Sequence, residues 1–93
     1  MYRYKDFQCL KITEIKGLDN QIILQELHLD ENQILEIKGL DKLEKLKALD
    51  LKSNHITKIE NLFKLKKLEL LNLGKNSIQK INGLATLINL KKL

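Results

Sequence analysis

Apolar positions recur along the chain with a period of 22 residues. Leu24, Leu46, Leu68 and Leu90 are followed three places on by Leu27, Leu49, Leu71 and Leu93. Leu29, Leu51 and Leu73 come next, then Asn32, Asn54 and Asn76. Ile34, Ile56 and Ile78 precede Ile37, Ile59 and Ile81, and the unit closes with Leu40, Leu62, Leu84 and Leu43, Leu65, Leu87. Self-similarity at a fixed period of 20–50 residues is the signature of a stacked repeat architecture. A helix bundle fits poorly. From Ile34 to Leu49 the apolar residues fall at strict threes, and on an α-helix each step of three drifts by about 60° until the stripe wraps around. Leu27-His28-Leu29 then switches to period two, a strand signal.

Each unit is therefore read as a short strand and a return path. Strands are expected near 26–30, 48–52 and 70–74, with a weaker one near 4–8. Asn32, Asn54 and Asn76 turn the chain, because a side-chain amide offers donors and acceptors to backbone groups that a bend leaves unpaired. Gly17, Gly39 and Gly83, with Asn61 in the third unit, mark a left-handed turn. The segments 40–44, 62–66 and 84–88 are expected to be 3₁₀ or short helical turns. The expected organisation is one domain over 1–93. It has a degenerate first repeat at 1–23, full repeats at 24–45, 46–67 and 68–89, and the start of another at 90–93. In the first repeat Lys5 replaces a leucine, Leu10 the asparagine and Gln21 another leucine, as in a capping unit.

The pattern Leu-x-x-Leu-x-Leu-x-x-Asn-x-Ile-x-x-Ile-x-x-Leu-x-x-Leu resembles the leucine-rich repeat, in its 22-residue Sds22-like subclass. The resemblance covers residues 2–93, and Asn54-His55-Ile56-Thr57-Lys58-Ile59-Glu60-Asn61-Leu62 is close to the intracellular members. It implies an α/β class: a right-handed solenoid with a parallel concave sheet and 3₁₀ or short helical convex turns. In phosphatase regulators of this family partner contacts come from acidic and aromatic side chains of the concave face. Secreted internalins share the repeat length and stand as the alternative.

Composition adds less. Thirty-two leucines and isoleucines among 93 residues argue against disorder, and no apolar run approaches the ~20 residues of a membrane span. The net charge of +5 raises a nucleic-acid reading. However, Lys38, Lys42, Lys45, Lys58, Lys64, Lys66, Lys67 and Lys80 lie on the return path among Glu36, Asp41, Glu44 and Glu60. Aromatic platforms for bases are also few.

Strand positions that point away from the core carry the candidate chemistry. These are Tyr4, Asp6, Glu26, His28, Asp30, Glu31, Asp50, Lys52, Leu70 and Asn72, with five carboxylates on the first three strands and Lys52 as the one opposing charge. His28, between Glu26 and Asp30, is a possible metal ligand by residue type. Groups ~7 Å apart on one strand hold no ion without help from a neighbouring strand, so no metal is expected. Cys9 has no basic partner nearby in its unit, and no phosphate loop or nucleophile elbow appears, so no catalytic residue and no cofactor are expected.

The functional expectation is an intracellular, non-enzymatic protein-binding module, cytoplasmic or in the nucleus or cilium. Its partner is expected to be a protein with a basic or mixed surface, such as a phosphatase or cytoskeletal protein, and neither nucleic acid nor membrane. At the far end Leu84, Leu87, Ile88, Leu90 and Leu93 have no successor to bury them. That suggests a fragment of a longer repeat protein or self-association through this edge.

Overall fold

The computed structural model describes residues 2–87, 89 and 90. Four three-residue strands form one parallel sheet in sequence order: β1 (Tyr4–Asp6), β2 (Glu26–His28), β3 (Ala48–Asp50) and β4 (Leu70–Asn72). The register follows the sequence period without a slip. Tyr4, Glu26, Ala48 and Leu70 stand side by side, as do Lys5, Leu27, Leu49 and Leu71, and Asp6, His28, Asp50 and Asn72. Strands alternate faces, so Leu27, Leu49 and Leu71 are buried while their neighbours face the concave side. The strands are shorter than expected. Their ladder nonetheless continues in Phe7 N–H to His28 C=O, Leu29 N–H to Asp50 C=O and Leu51 N–H to Asn72 C=O, each 2.8 Å.

Inside, the leucine and isoleucine columns make one core, with Leu27, Ile34, Ile37, Leu40, Leu43 and Leu46 fully buried. Each coil is closed by the asparagine of the next. Asn54 donates its amide to the carbonyls of Leu29 and Leu51, both at 3.0 Å, and its Oδ1 accepts the Ile34 N–H at 3.0 Å. Asn32 reaches back to Phe7 in the same way and accepts from both Leu10 and Ile12. Asn76 donates to Leu51 and accepts from Ile56. On the far side Gln33, His55 and Ser77 donate backbone N–H groups to Ile12, Ile34 and Ile56.

The expected α/β class with helical convex turns does not hold, since no helix occurs among the described residues. Leu43 N–H bonds Leu40 C=O and Leu46 N–H bonds Leu43 C=O, both at 3.0 Å, and the pattern repeats at Leu65, Leu68, Leu87 and Leu90. A 3₁₀ helix needs such bonds in succession. Here they come every third residue, with Asp41, Lys42, Glu44 and Lys45 exposed between them. A train of single turns satisfies a leucine spacing of three as well as a 3₁₀ helix does. The convex path is therefore turn, and the fold is an all-β solenoid. Within it no helix is long and apolar enough to cross a membrane.

The left-handed turn at Gly17, Gly39, Asn61 and Gly83 is present, with φ between 60° and 77°. A Cβ on Gly39 would lie 2.6 Å from the Ile15 carbonyl oxygen. Asn61, at the corresponding place, donates Nδ2 to the Ile37 carbonyl at 2.8 Å. Of the residues expected at the open end, Ile88 and Leu93 lie outside the described residues. Leu87 is buried, Leu84 and Leu90 are partly so, and Ile81 is 70% exposed where Ile37 is fully buried.

Two stability outcomes follow from these contacts. Asn54→Ala strands the buried Ile34 N–H and takes one of two donors from each of the Leu29 and Leu51 carbonyls, which keep Asn32 and Asn76. With about 1–3 kcal/mol for the unsatisfied N–H and about 1 kcal/mol for the two weakened carbonyls, urea unfolding should show a loss of about 2–4 kcal/mol. Gly39→Ala should cost about 1 kcal/mol for left-handed strain, plus the clash with Ile15. Gly39→Asn, which has a precedent in Asn61, should cost clearly less in the same measurement.

Candidate functional site

The concave face takes its shape from the three-residue strands and its charge from the middle column. In three of the four strands that column also has a local duty. Oδ1 of Asp6, Asp50 and Asn72 each accepts the N–H two residues on, from Gln8, Lys52 and Gly74, at 3.0 Å. Such Asx turns steer the chain off the strand into the left-handed residue that follows. That residue is Cys9, Ser53 or Lys75, with φ between 52° and 59°, and Glu31 takes the same conformation after β2, with φ 57°. None is glycine or asparagine, so composition gave no sign of this second left-handed corner.

In β2 the middle column holds His28 instead. Its Nε2 bonds the Glu26 carboxylate, and the other Glu26 oxygen accepts the Tyr2 hydroxyl at 2.6 Å. His28 Nδ1 faces Asp30 Oδ1 at 4.0 Å and Asp50 Oδ2 at 3.9 Å. The structure thus brings together Glu26, His28, Asp30 and Asp50 from the expected set and adds Tyr2. Tyr2 stands one period before Leu24, in a framework column otherwise made of leucines. That phenol was the only hint of it.

The charges respond to this crowding. Burial alone would lower the His28 pKa, but the hydrogen bond and charge of Glu26, with Asp50 and Asp6 behind it, raise it above the usual imidazole value. Asp30 is raised, by burial first and then by Asp50. Glu26 is lowered by the hydrogen bonds from Tyr2 and His28. The Tyr2 phenol is pushed up to about 12 by its bond to Glu26.

Beside this cluster a hollow of about 470 Å³ opens over β2 to β4, with Ala48 and Leu70 as its apolar lip and Glu26, His28, Asp50 and Asn72 among its polar groups. Tyr4 is exposed at the β1 side, away from it. Glu31 is exposed outside the hollow, accepting from Cys9 Sγ at 3.0 Å and from Gln8. Lys52 is exposed beyond Asp50. The Glu31 contact raises the Cys9 pKa, which holds the sulfur as a thiol, the form that does not act as a nucleophile.

Residues 24–64 match the family described as leucine-rich repeats, two copies. The chain carries leucine-rich repeats. Over 98% of its length it superposes on internalin C2 from Listeria monocytogenes strain 4b F2365, with a TM-score of 0.91 and 34% identity. Over 88% it superposes on an internalin, inlF, of the same strain, with a TM-score of 0.79 and 31% identity. It spans 40% and 26% of the length of those two chains. No curated protein sequence matches.

These findings relate the leucine-rich-repeat chain to bacterial internalins rather than specifically to the Sds22-like subclass. They support a non-catalytic protein-binding module. The intracellular placement is overturned, because the matching structures are internalins, the secreted class that stood as the alternative on sequence. The likeness of one repeat phrase to intracellular members was a weak guide to compartment.

Asp50 and Glu26 lend themselves to direct tests. Asp50→Asn keeps the turn acceptor that Asn72 already supplies and should leave stability within about 0.5 kcal/mol, whereas Asp50→Ala should lose about 1 kcal/mol in urea unfolding. Glu26→Gln removes the charge that stabilises the neutral phenol. A spectrophotometric titration should then show Tyr2 ionising well below about 12, back toward its ordinary value of 10.

Proposed function

We propose that the chain is an internalin-like recognition module that works outside the cell and holds a protein partner on its concave face. Its partner presents a mixed surface, with an apolar group set against Ala48 and Leu70 and a basic group toward Glu26 and Asp50. The observation that carries this reading is the hollow over β2 to β4, where an apolar lip and a carboxylate wall share one concave surface. Ligand sites combine apolar lining with a few placed polar groups in this way. The lysines of the opposite side face solvent amid acids, as in the Lys38–Glu14 pair at 3.0 Å, and the hollow that Lys58 and Lys80 line is smaller, about 290 Å³. The likeness to two internalins supports the placement outside the cell.

Capture of extracellular proteins on the immobilised chain tests the reading when two surfaces are compared. Asp50→Asn combined with Leu70→Arg should weaken capture of the partner by at least about tenfold, the equivalent of ~1.4 kcal/mol. Phe63→Arg on the convex path should leave it unchanged. Capture that survives the concave pair and fails with Phe63→Arg would move recognition to the other side of the solenoid.

A further inference from the structure

We propose that His28, Asp30 and Asp50 form a binding site for one divalent transition-metal ion of the zinc class, with Glu26 and Tyr2 holding the imidazole in its ligating orientation. His28 and Asp30 come from the same face of one strand and its extension. Asp50 comes from the next strand, as the register partner of His28. One ligand atom from each lies within 4.8 Å of the other two, and all three side chains are partly buried. The neighbouring strand supplies the third group that a single strand lacks.

Two carboxylates alone would be only a negative patch, and the imidazole makes the difference. Glu26 occupies Nε2, so a neutral ring carries its proton there and turns the Nδ1 lone pair toward Asp30 and Asp50. A carboxylate behind a histidine is the usual means of fixing the tautomer and raising the basicity of a metal ligand. The Tyr2 hydroxyl in turn fixes the other oxygen of Glu26. Among the described residues, His28 is the one ion-pair partner of Asp30 and of Asp50.

Three acceptors thus face one point. A proton on Nδ1 does not satisfy them, because 3.9 and 4.0 Å exceed hydrogen-bond length. An ion between them reaches all three once each atom moves by roughly half an ångström toward zinc-ligand distances of ~2.0–2.2 Å. One nitrogen and two oxygens suit zinc, cobalt or nickel better than calcium or magnesium, which favour oxygen alone. Three protein ligands leave a further position open, and Asp50 and His28 line the adjoining hollow. Ion binding is measured on the chain alone, so its failure does not touch the recognition reading.

The test is calorimetric titration of the chelator-treated chain with Zn²⁺ in a non-coordinating buffer. Co²⁺ serves as a second probe, read by its visible absorption. One equivalent should bind with saturation. His28→Gln and Asp50→Asn should each weaken it by at least about tenfold, and Glu26→Gln by about 10- to 100-fold, with circular dichroism unchanged. Asp50→Asn is informative because it retains the turn acceptor while removing the anionic ligand. Three results would overturn the assignment: no saturable binding, equal affinity in wild type and both ligand variants, or loss of binding in Cys9→Ser with His28→Gln unaffected.

Discussion

A coil of this solenoid cannot satisfy its own backbone at the corner that follows the strand. The chain turns inward over the leucine core there, away from water, and leaves carbonyl and amide groups that must find partners. Asn54 answers for its own coil and for the one before it, through Leu51 C=O, Leu29 C=O and Ile34 N–H at once. Asn32 and Asn76 do the same one period away on either side. Because the amide spans two coils, it fixes their separation and their phase as well as the turn. The unslipped register of β1 to β4 follows from that constraint. So does the alignment of each concave column.

The alignment gives the candidate site its rigidity. His28 and Asp50 meet because they are register partners on strands whose inner faces are pinned by Leu27, Leu29, Leu49 and Leu51, all buried. Side chains on strands so anchored hold position better than side chains on loops. The concave charge also has a structural origin. Asp6 and Asp50 are acceptors for a turn that Asn72 closes equally well, so part of the acidity reflects coil geometry before any partner is considered.

That dual use explains what was legible in the sequence and what was not. The leucine, isoleucine and asparagine columns, the strand positions and the turn at Gly39 and Asn61 could all be read, because each requirement repeats with the period and excludes most other residue types. The convex path was misread as helical, since leucines every third residue fit single turns and 3₁₀ helix alike. The left-handed corner at Cys9, Glu31, Ser53 and Lys75 left no compositional mark, because an Asx turn before Cys9, Ser53 and Lys75 and an asparagine after Glu31, Ser53 and Lys75 hold the conformation for residues of any type. The convergence of Asp50 on His28 was also hidden. It is a contact between strands 22 residues apart, visible only once the register is known.

A repeat protein offers its own internal standard for what the scaffold demands. Where a column is uniform, folding accounts for the residue, and a departure calls for a separate account. Asn61 departs from glycine and repays the close approach with a hydrogen bond to Ile37 C=O, so structure explains it. His28 departs from the Asx column and gains no turn bond to its own strand. It engages Glu26, Asp30 and Asp50 instead, and Tyr2 departs from the leucine column to hold Glu26. Two departures that cooperate in one cluster, at the edge of the concave hollow, are not needed by the coil. Residues that break local consistency without a folding benefit are where function is to be sought.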